Sequence, residues 1–192
     1  MGKNGFDPIT SISLYRTYVQ PVLMHGLGIV QPKQTNLKKL EVFQKYILKH
    51  ILSLPTNAPD PAIYIISGLL PIEAILDIKY MTLFNNICRQ HDDAIEKQLE
   101  TRQLNIKITE SKSWFTILKK TLIKYDFSNI NELVAKPLKK SIWKSLIMKA
   151  VKRYWAKKIH EIATWYSSLE RLNSKIYINP NYIILFSTSL EI

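Results

Sequence analysis

The sequence predicts an all-α fold, a helical bundle of about five to seven helices with a long basic C-terminal helix and an irregular or extended tail. Two observations predict it. Apolar residues recur at spacings of three and four through one stretch after another, and residues that start and stop helices stand at the ends of those stretches. The composition agrees: 46% hydrophobic and 22% charged residues, with only 5 glycines in 192, belong to a chain that folds and not to a disordered or collagen-like one. The length is about 1.3 times a typical domain of roughly 150 residues, so one domain, or two small helical ones, with a sizeable core is expected.

Along residues 8–24, Ile9, Ile12, Tyr15, Val19, Val22 and Leu23 fall at helical spacing, and Pro21, lacking an N–H, forces a kink or an interruption. A polar loop over 31–35 follows. Asn36 is placed to cap a second helix in which Leu37, Leu40, Phe43, Ile47, Ile51 and Leu54 form an apolar stripe. Its other face carries Lys38, Lys39, Lys45 and Lys49, with Glu41 four residues before Lys45, the spacing of a helical ion pair. Pro55, Pro59 and Pro61 mark a structured turn. Residues 62–67 read as a short helix ended by Gly68, and Pro71 opens the next, which runs through Ile75, Ile78, Leu83 and Ile87. Asp93 with Glu96 three residues on resembles a capping box for a polar helix reaching about Leu104.

Residues 105–111 read as a connector between a segment spanning 8–104 and a basic helical module spanning 111–172. Ser113 caps a helix with Trp114, Phe115, Leu118, Leu122 and Tyr125 on one face and Lys119, Lys120 and Lys124 on the other. After Pro137 a long helix is expected to about Tyr166, its apolar pairs Ile142/Trp143, Leu146/Ile147, Ala150/Val151 and Tyr154/Trp155 stepping by four. Lys144, Lys149 and Lys152 fall opposite that stripe, with Arg153 at its margin. Residues 173–192 form an unassigned tail, apolar and β-branched from Ile176, which reads as extended.

The net charge of +12 is unevenly placed. Residues 1–96 carry 9 Lys and Arg against 8 Asp and Glu, whereas residues 97–192 carry 18 against 7. A one-sided basic half suggests a polyanionic partner, nucleic acid or an anionic membrane surface. The single cysteine, Cys88, excludes an intramolecular disulfide and a cysteine-rich zinc site and fits a reducing compartment. No signal peptide or membrane-spanning segment is read, so the expected location is intracellular, nuclear or cytoplasmic.

Catalytic motifs fail on inspection. Asp92-Asp93 is the only adjacent acid pair, but it lies between Arg89-Gln90-His91 and a helical pattern and not in a hairpin that aims both carboxylates at metal, so capping is the preferred role. His160-Glu161 begins like a metalloprotease signature, but Thr164 stands where its second histidine belongs. Ser67-Gly68 lacks the upstream glycine of a nucleophile elbow, and Gly26-Leu27-Gly28 is a turn too short for a phosphate loop. His25, His50, His91 and His160 show no ligand spacing. No metal, cofactor or small-molecule substrate is indicated.

What remains is residues 139–158, where Lys139, Lys140, Lys144, Lys149, Lys152, Arg153, Lys157 and Lys158 meet no acid until Glu161. Like charges this dense repel one another, and a polyanion would relieve the repulsion and gain from counterion release. The lysines admit two readings, a solvated face or phosphate contacts. Trp143, Tyr154 and Trp155 lie on the apolar stripe, which favours core over base stacking.

The run Leu14-Tyr15-Arg16-Thr17-Tyr18-Val19-Gln20-Pro21-Val22-Leu23-Met24-His25-Gly26 resembles the segment after the polymerase domain in reverse transcriptases of non-LTR retrotransposons. The likeness continues in order through Leu40-Glu41 and Gln44, Ile51-Leu52-Ser53-Leu54-Pro55, Ala58-Pro59 and Gly68-Leu69-Leu70-Pro71-Ile72-Glu73-Ala74. Further on, Ser113-Trp114-Phe115, Lys124-Tyr125-Asp126, Trp143-Lys144 and Tyr154-Trp155 are similar to a downstream helical region of some such elements, so that residues 8–172 are covered. The resemblance implies a piece of an RNA-directed DNA polymerase without fingers, palm or catalytic aspartates, hence no enzyme by itself. His25 stands where tyrosine is usual, Lys49 where arginine is common, and the Cys/His knuckle of many relatives is absent.

The expected function is therefore to hold template RNA or target DNA by its phosphates through the eight cations. Six contacts would give a slope of log K against log salt near −4 for single strands and −5 for duplex. The rivals are a protein-interaction scaffold that self-associates through uncovered apolar helix faces, a binder of anionic membrane surfaces, and a degenerate element fragment without selected function.

Overall fold

The computed structural model describes residues 5–106, 113–127 and 129–170, and every regular element among them is helical. The expected tail and most of the connector lie outside the described residues. In order, the elements are α1 (Pro8–Leu14), a π-helical turn (Tyr15–Val19), α2 (Gln20–Leu23), α3 (Gln34–Ile51), α4 (Asp60–Ser67), α5 (Ile72–Cys88), α6 (Ile95–Ile106), α7 (Trp114–Lys124), α8 (Ile130–Ala135), α9 (Lys140–Ala163) and a closing 3₁₀ turn (Ser167–Leu169).

These elements form two compact units that interleave along the chain. Among the described residues the first comprises 5–25, 32–73 and 155–170, the second 26–31, 74–106, 113–127 and 129–154.

In the first unit Asp7 starts α1, its carboxylate accepting the N–H groups of Ile9 and Thr10 at 2.9 and 3.0 Å. Chiefly the Thr10 hydroxyl, with these amides, holds the carboxyl below its ordinary range. The interruption expected at Pro21 appears one turn earlier. Pro21 offers no N–H and its ring crowds the carbonyl four residues back, so the helix widens over Tyr15–Val19 and the Gln20 N–H reaches the Tyr15 carbonyl instead.

α3 begins at Gln34, two residues before the expected cap. Asn36 lies inside the first turn, its N–H bonded to the Lys33 carbonyl. The buried line of α3 is also displaced from the expected stripe: Gln44 and Leu48 are fully buried while Phe43 is exposed. The reason is a polar contact, the Gln44 amide donating to the Leu70 carbonyl at 3.0 Å. Lys45 bonds to Asp60 at 2.7 Å and does not form the expected helical pair with Glu41. Around these, Ile12, Tyr15, Leu48, Ile63 and Leu69 form a core extended by Ile47, Ile51, Leu52 and Leu54. Gly68 ends α4 as expected, at φ 64° with its N–H on the Tyr64 carbonyl, a conformation in which a Cβ would be strained. A smaller cluster joins Ala62, Ala163 and Leu169 with Ile65 and Ile66.

In the second unit α5 buries Ala74, Leu76, Asp77, Tyr80, Met81, Phe84, Asn85 and Cys88, more than one helical face, which is why its sequence shows no narrow stripe. Ser113 caps α7 as expected, accepting the Thr116 N–H. Trp114 donates its indole N–H to the Gly28 carbonyl at 3.1 Å, which ties the turn at 26–31 to α7. Asp77 accepts from the Tyr125 hydroxyl at 2.7 Å and from Lys124 Nζ at 2.8 Å, and this ammonium also stands over the rings of Tyr125 and Tyr154. Two further buried groups meet where α6 packs: Cys88 Sγ lies 3.4 and 3.5 Å from the oxygens of Glu100. Burial pushes the Glu100 carboxyl up to about 7 and raises the thiol as well.

Candidate nucleic-acid interface

α9 carries the basic run and contributes to both units, residues 140–154 to the second and 155–163 to the first. Its apolar pairs resolve into one buried member each. Trp143, Ile147, Val151 and Trp155 are buried, whereas Ile142 is 50% and Leu146 41% exposed. Trp143 is anchored in the second unit by its indole N–H on the Met81 carbonyl at 2.8 Å and by the rings of Phe84 and Phe127. Tyr154 packs edge-on against Tyr125. In the first unit Trp155 is covered by Lys158, whose ammonium sits 4.4 Å from the ring centre. The aromatics of α9 are thus core or covered, as their place on the stripe indicated, and do not offer free faces to bases.

The cations divide by exposure and by side. Lys139, Lys140, Lys144, Lys149, Lys152, Arg153 and Lys157 are exposed, and Lys158 is partly buried over Trp155. At roughly 100° per residue, Lys140 and Lys144 point roughly 140° to 180° away from Lys149 and Arg153, so the eight do not share one stripe. The buried line drifts around the helix as it steps by four, so Lys140 and Lys144 border it at the start of α9. Lys149 and Arg153 stand opposite it, with Lys152 beside them. This corrects the expectation for Lys144, which leaves the outward group, and for Arg153, which joins its centre. Ile142 and Leu146 precede Lys149 and Arg153 on that outward face. Lys157 follows Arg153 by four residues and lies 3.9 Å from Glu161, an exposed pair of small energetic weight. Among the described residues, none of Lys139, Lys140, Lys144, Lys149, Lys152 and Arg153 is paired with a carboxylate.

The other candidates have local partners. Asp92 bonds to Lys97 at 2.6 Å and Asp93 to His91 at 3.0 Å, and α6 begins at Ile95, so the adjacent acids are held by neighbouring side chains and do not form the expected capping box. Ser67 is buried and accepts the Leu69 N–H. Among the described residues no group of three or more His, Cys, Asp or Glu side chains is placed to hold a metal ion, and no single helix is long and apolar enough to cross a membrane. One surface the sequence pattern missed lies on α3, where Tyr46 and Phe43 are exposed beside Lys38, Lys39, Lys49 and His50. The displaced buried line of that helix is what leaves these aromatics outside.

No family model, no curated protein and no solved structure matches the chain. The residues themselves therefore carry the functional reading.

Proposed function

We propose that this chain is a non-catalytic helical module that holds nucleic acid by its phosphates, with Lys149, Lys152 and Arg153 on the outward face of α9 as the principal contacts. The observation that carries it is the exposure of these cations together, without carboxylate partners among the described residues. A surface of this kind gains most from a partner whose charges are closely spaced, because each neutralised phosphate releases condensed counterions. The resemblance of residues 8–172 to the region after the polymerase domain of non-LTR reverse transcriptases makes template RNA or target DNA the natural polyanion.

Fluorescence anisotropy with labelled RNA and duplex DNA across a salt series tests this. Changing Lys149, Lys152 and Arg153 together to Gln is expected to flatten the slope of log K against log salt by about 2 for single strands and about 3 for duplex. Changing Lys140 and Lys144 to Gln is expected to flatten it less. A wild-type slope near zero, or equal effects of the two variants, would refute the reading.

A second reading rests on apolar exposure in the first unit, where Tyr18 is 66% and Val22 77% exposed on neighbouring turns. Such a surface suits self-association. Sedimentation that gives a monomer at all concentrations would remove it.

A further inference from the structure

We infer a second nucleic-acid contact, in the first unit: a cleft along α3 that takes an unpaired base of a single strand, with Tyr46 as the stacking platform and Lys49 and His50 as phosphate contacts. It uses none of the α9 cations and does not rest on the reading of that helix.

Val42, Tyr46, Lys49 and His50 fall at i, i+4, i+7 and i+8 on α3, which is one helical face. The loop toward α4 adds Leu54 and Thr56, and the result is a cleft of about 310 Å³, at the low end of the range for small-molecule sites. Tyr46 is 60% exposed, and the ring of His50 meets it in an edge-to-face contact with centroids 4.5 Å apart. That contact favours one position of the tyrosine ring while leaving most of it open.

The charges are arranged to suit an anion. Asp60, the one carboxylate among the residues lining the cleft, is neutralised by Lys45 at 2.7 Å. Lys49 donates to the Thr56 carbonyl, a neutral acceptor, so its ammonium is fixed at the wall of the cleft with no carboxylate paired to it among the described residues. Exposed Lys38 and Lys39 continue the basic surface along the same helix.

An open aromatic ring beside a held ammonium is the arrangement by which single strands are bound, base on ring and phosphate on ammonium. A duplex keeps its bases stacked inside and has no use for Tyr46. An acidic peptide or an anionic lipid would use the cations and leave the ring idle. The combination therefore favours an unpaired nucleotide.

The test compares a labelled oligothymidylate with a duplex of mixed sequence by anisotropy, for the wild-type chain and the variants Tyr46→Ala, Tyr46→Phe and Lys49→Gln, with far-UV circular dichroism to check that each is folded. Tyr46→Ala is expected to weaken oligothymidylate binding by roughly 5- to 150-fold and to leave duplex binding within about 2-fold. Tyr46→Phe, which keeps the ring, should restore the affinity. Lys49→Gln should reduce the single-strand salt slope by about 0.7.

The proposal is overturned if the wild-type chain does not bind the oligothymidylate, or if Tyr46→Ala leaves that binding unchanged or weakens duplex binding equally. Binding of oligoglutamate or anionic vesicles that depends on Lys49 but not on Tyr46 would overturn it in favour of an acidic peptide or a membrane surface. The Lys149, Lys152 and Arg153 triple variant, run in parallel, separates the two readings: an effect there with none at Tyr46 removes the cleft alone, and the reverse removes the α9 contact alone.

Discussion

Glu100 offers a quantitative test of the second unit, because its charge is opposed by its surroundings. The side chain is fully buried, its oxygens 3.4 and 3.5 Å from Cys88 Sγ, and burial moves the carboxyl from an ordinary 4.5 to about 7. A pKa raised on folding means that the neutral acid is preferred in the native state. The associated stability is fully present below pH 4.5, falls as the unfolded chain ionises and the native one resists, and is lost once pH passes about 7. About 2.5 pH units at about 1.4 kcal/mol each corresponds to about 3 kcal/mol between pH 4.5 and 7.5. Glu100→Gln removes the ionisable group while retaining an oxygen that accepts from the Cys88 thiol. Urea unfolding followed by circular dichroism, at several pH values across that window, should show the wild-type chain losing about 3 kcal/mol more than the variant as pH rises. Titrations elsewhere are common to both proteins and cancel in the comparison. Identical pH profiles would refute the argument, since they would mean that Glu100 is hydrated or paired well enough to ionise normally.

Four further substitutions probe the packing that presents α9. Trp143→Ala should destabilise the chain by about 3–5 kcal/mol through the cavity it leaves, while Trp143→Phe, which loses the bond to the Met81 carbonyl and part of the ring, should lose about 1–2 kcal/mol; denaturant midpoints distinguish them. Asp77→Ala should lower stability by about 3–5 kcal/mol, because Lys124 and Tyr125 lose their shared acceptor in a largely buried position. Tyr125→Phe, which removes the hydroxyl bonded to Asp77, should lower it by about 1 kcal/mol in the same assay.

The local signals that proved readable act within a few residues. Ser113 caps α7 and Gly68 ends α4 because a hydroxyl near free amides and a residue without Cβ at positive φ are local chemistry. Asn36 looked like an equivalent cap, but the Lys33 carbonyl accepts the first turn's N–H groups and the helix starts earlier. Asp7, ahead of Pro8, carried the same kind of signal and went unread. On α3 the periodicity located an apolar side without fixing its centre. Gln44, which by composition belongs at the surface, is buried because the Leu70 carbonyl, 26 residues away, takes its amide.

By itself the sequence determined the all-helical class, the positions of most helices and the concentration of positive charge after residue 96, since helical spacing, caps and charge depend on residues near one another in the chain. Tertiary structure alone decided the rest. It selected the buried member of each apolar pair on α9, and so turned Lys149 and Arg153 outward together. It also placed Glu100 against Cys88, set Lys45 on Asp60, and left Tyr46 exposed beside Lys49. Each of these outcomes depends on a partner surface or a hydrogen-bond acceptor supplied by another element, and periodicity, which describes one helix at a time, holds no information about what that helix will meet.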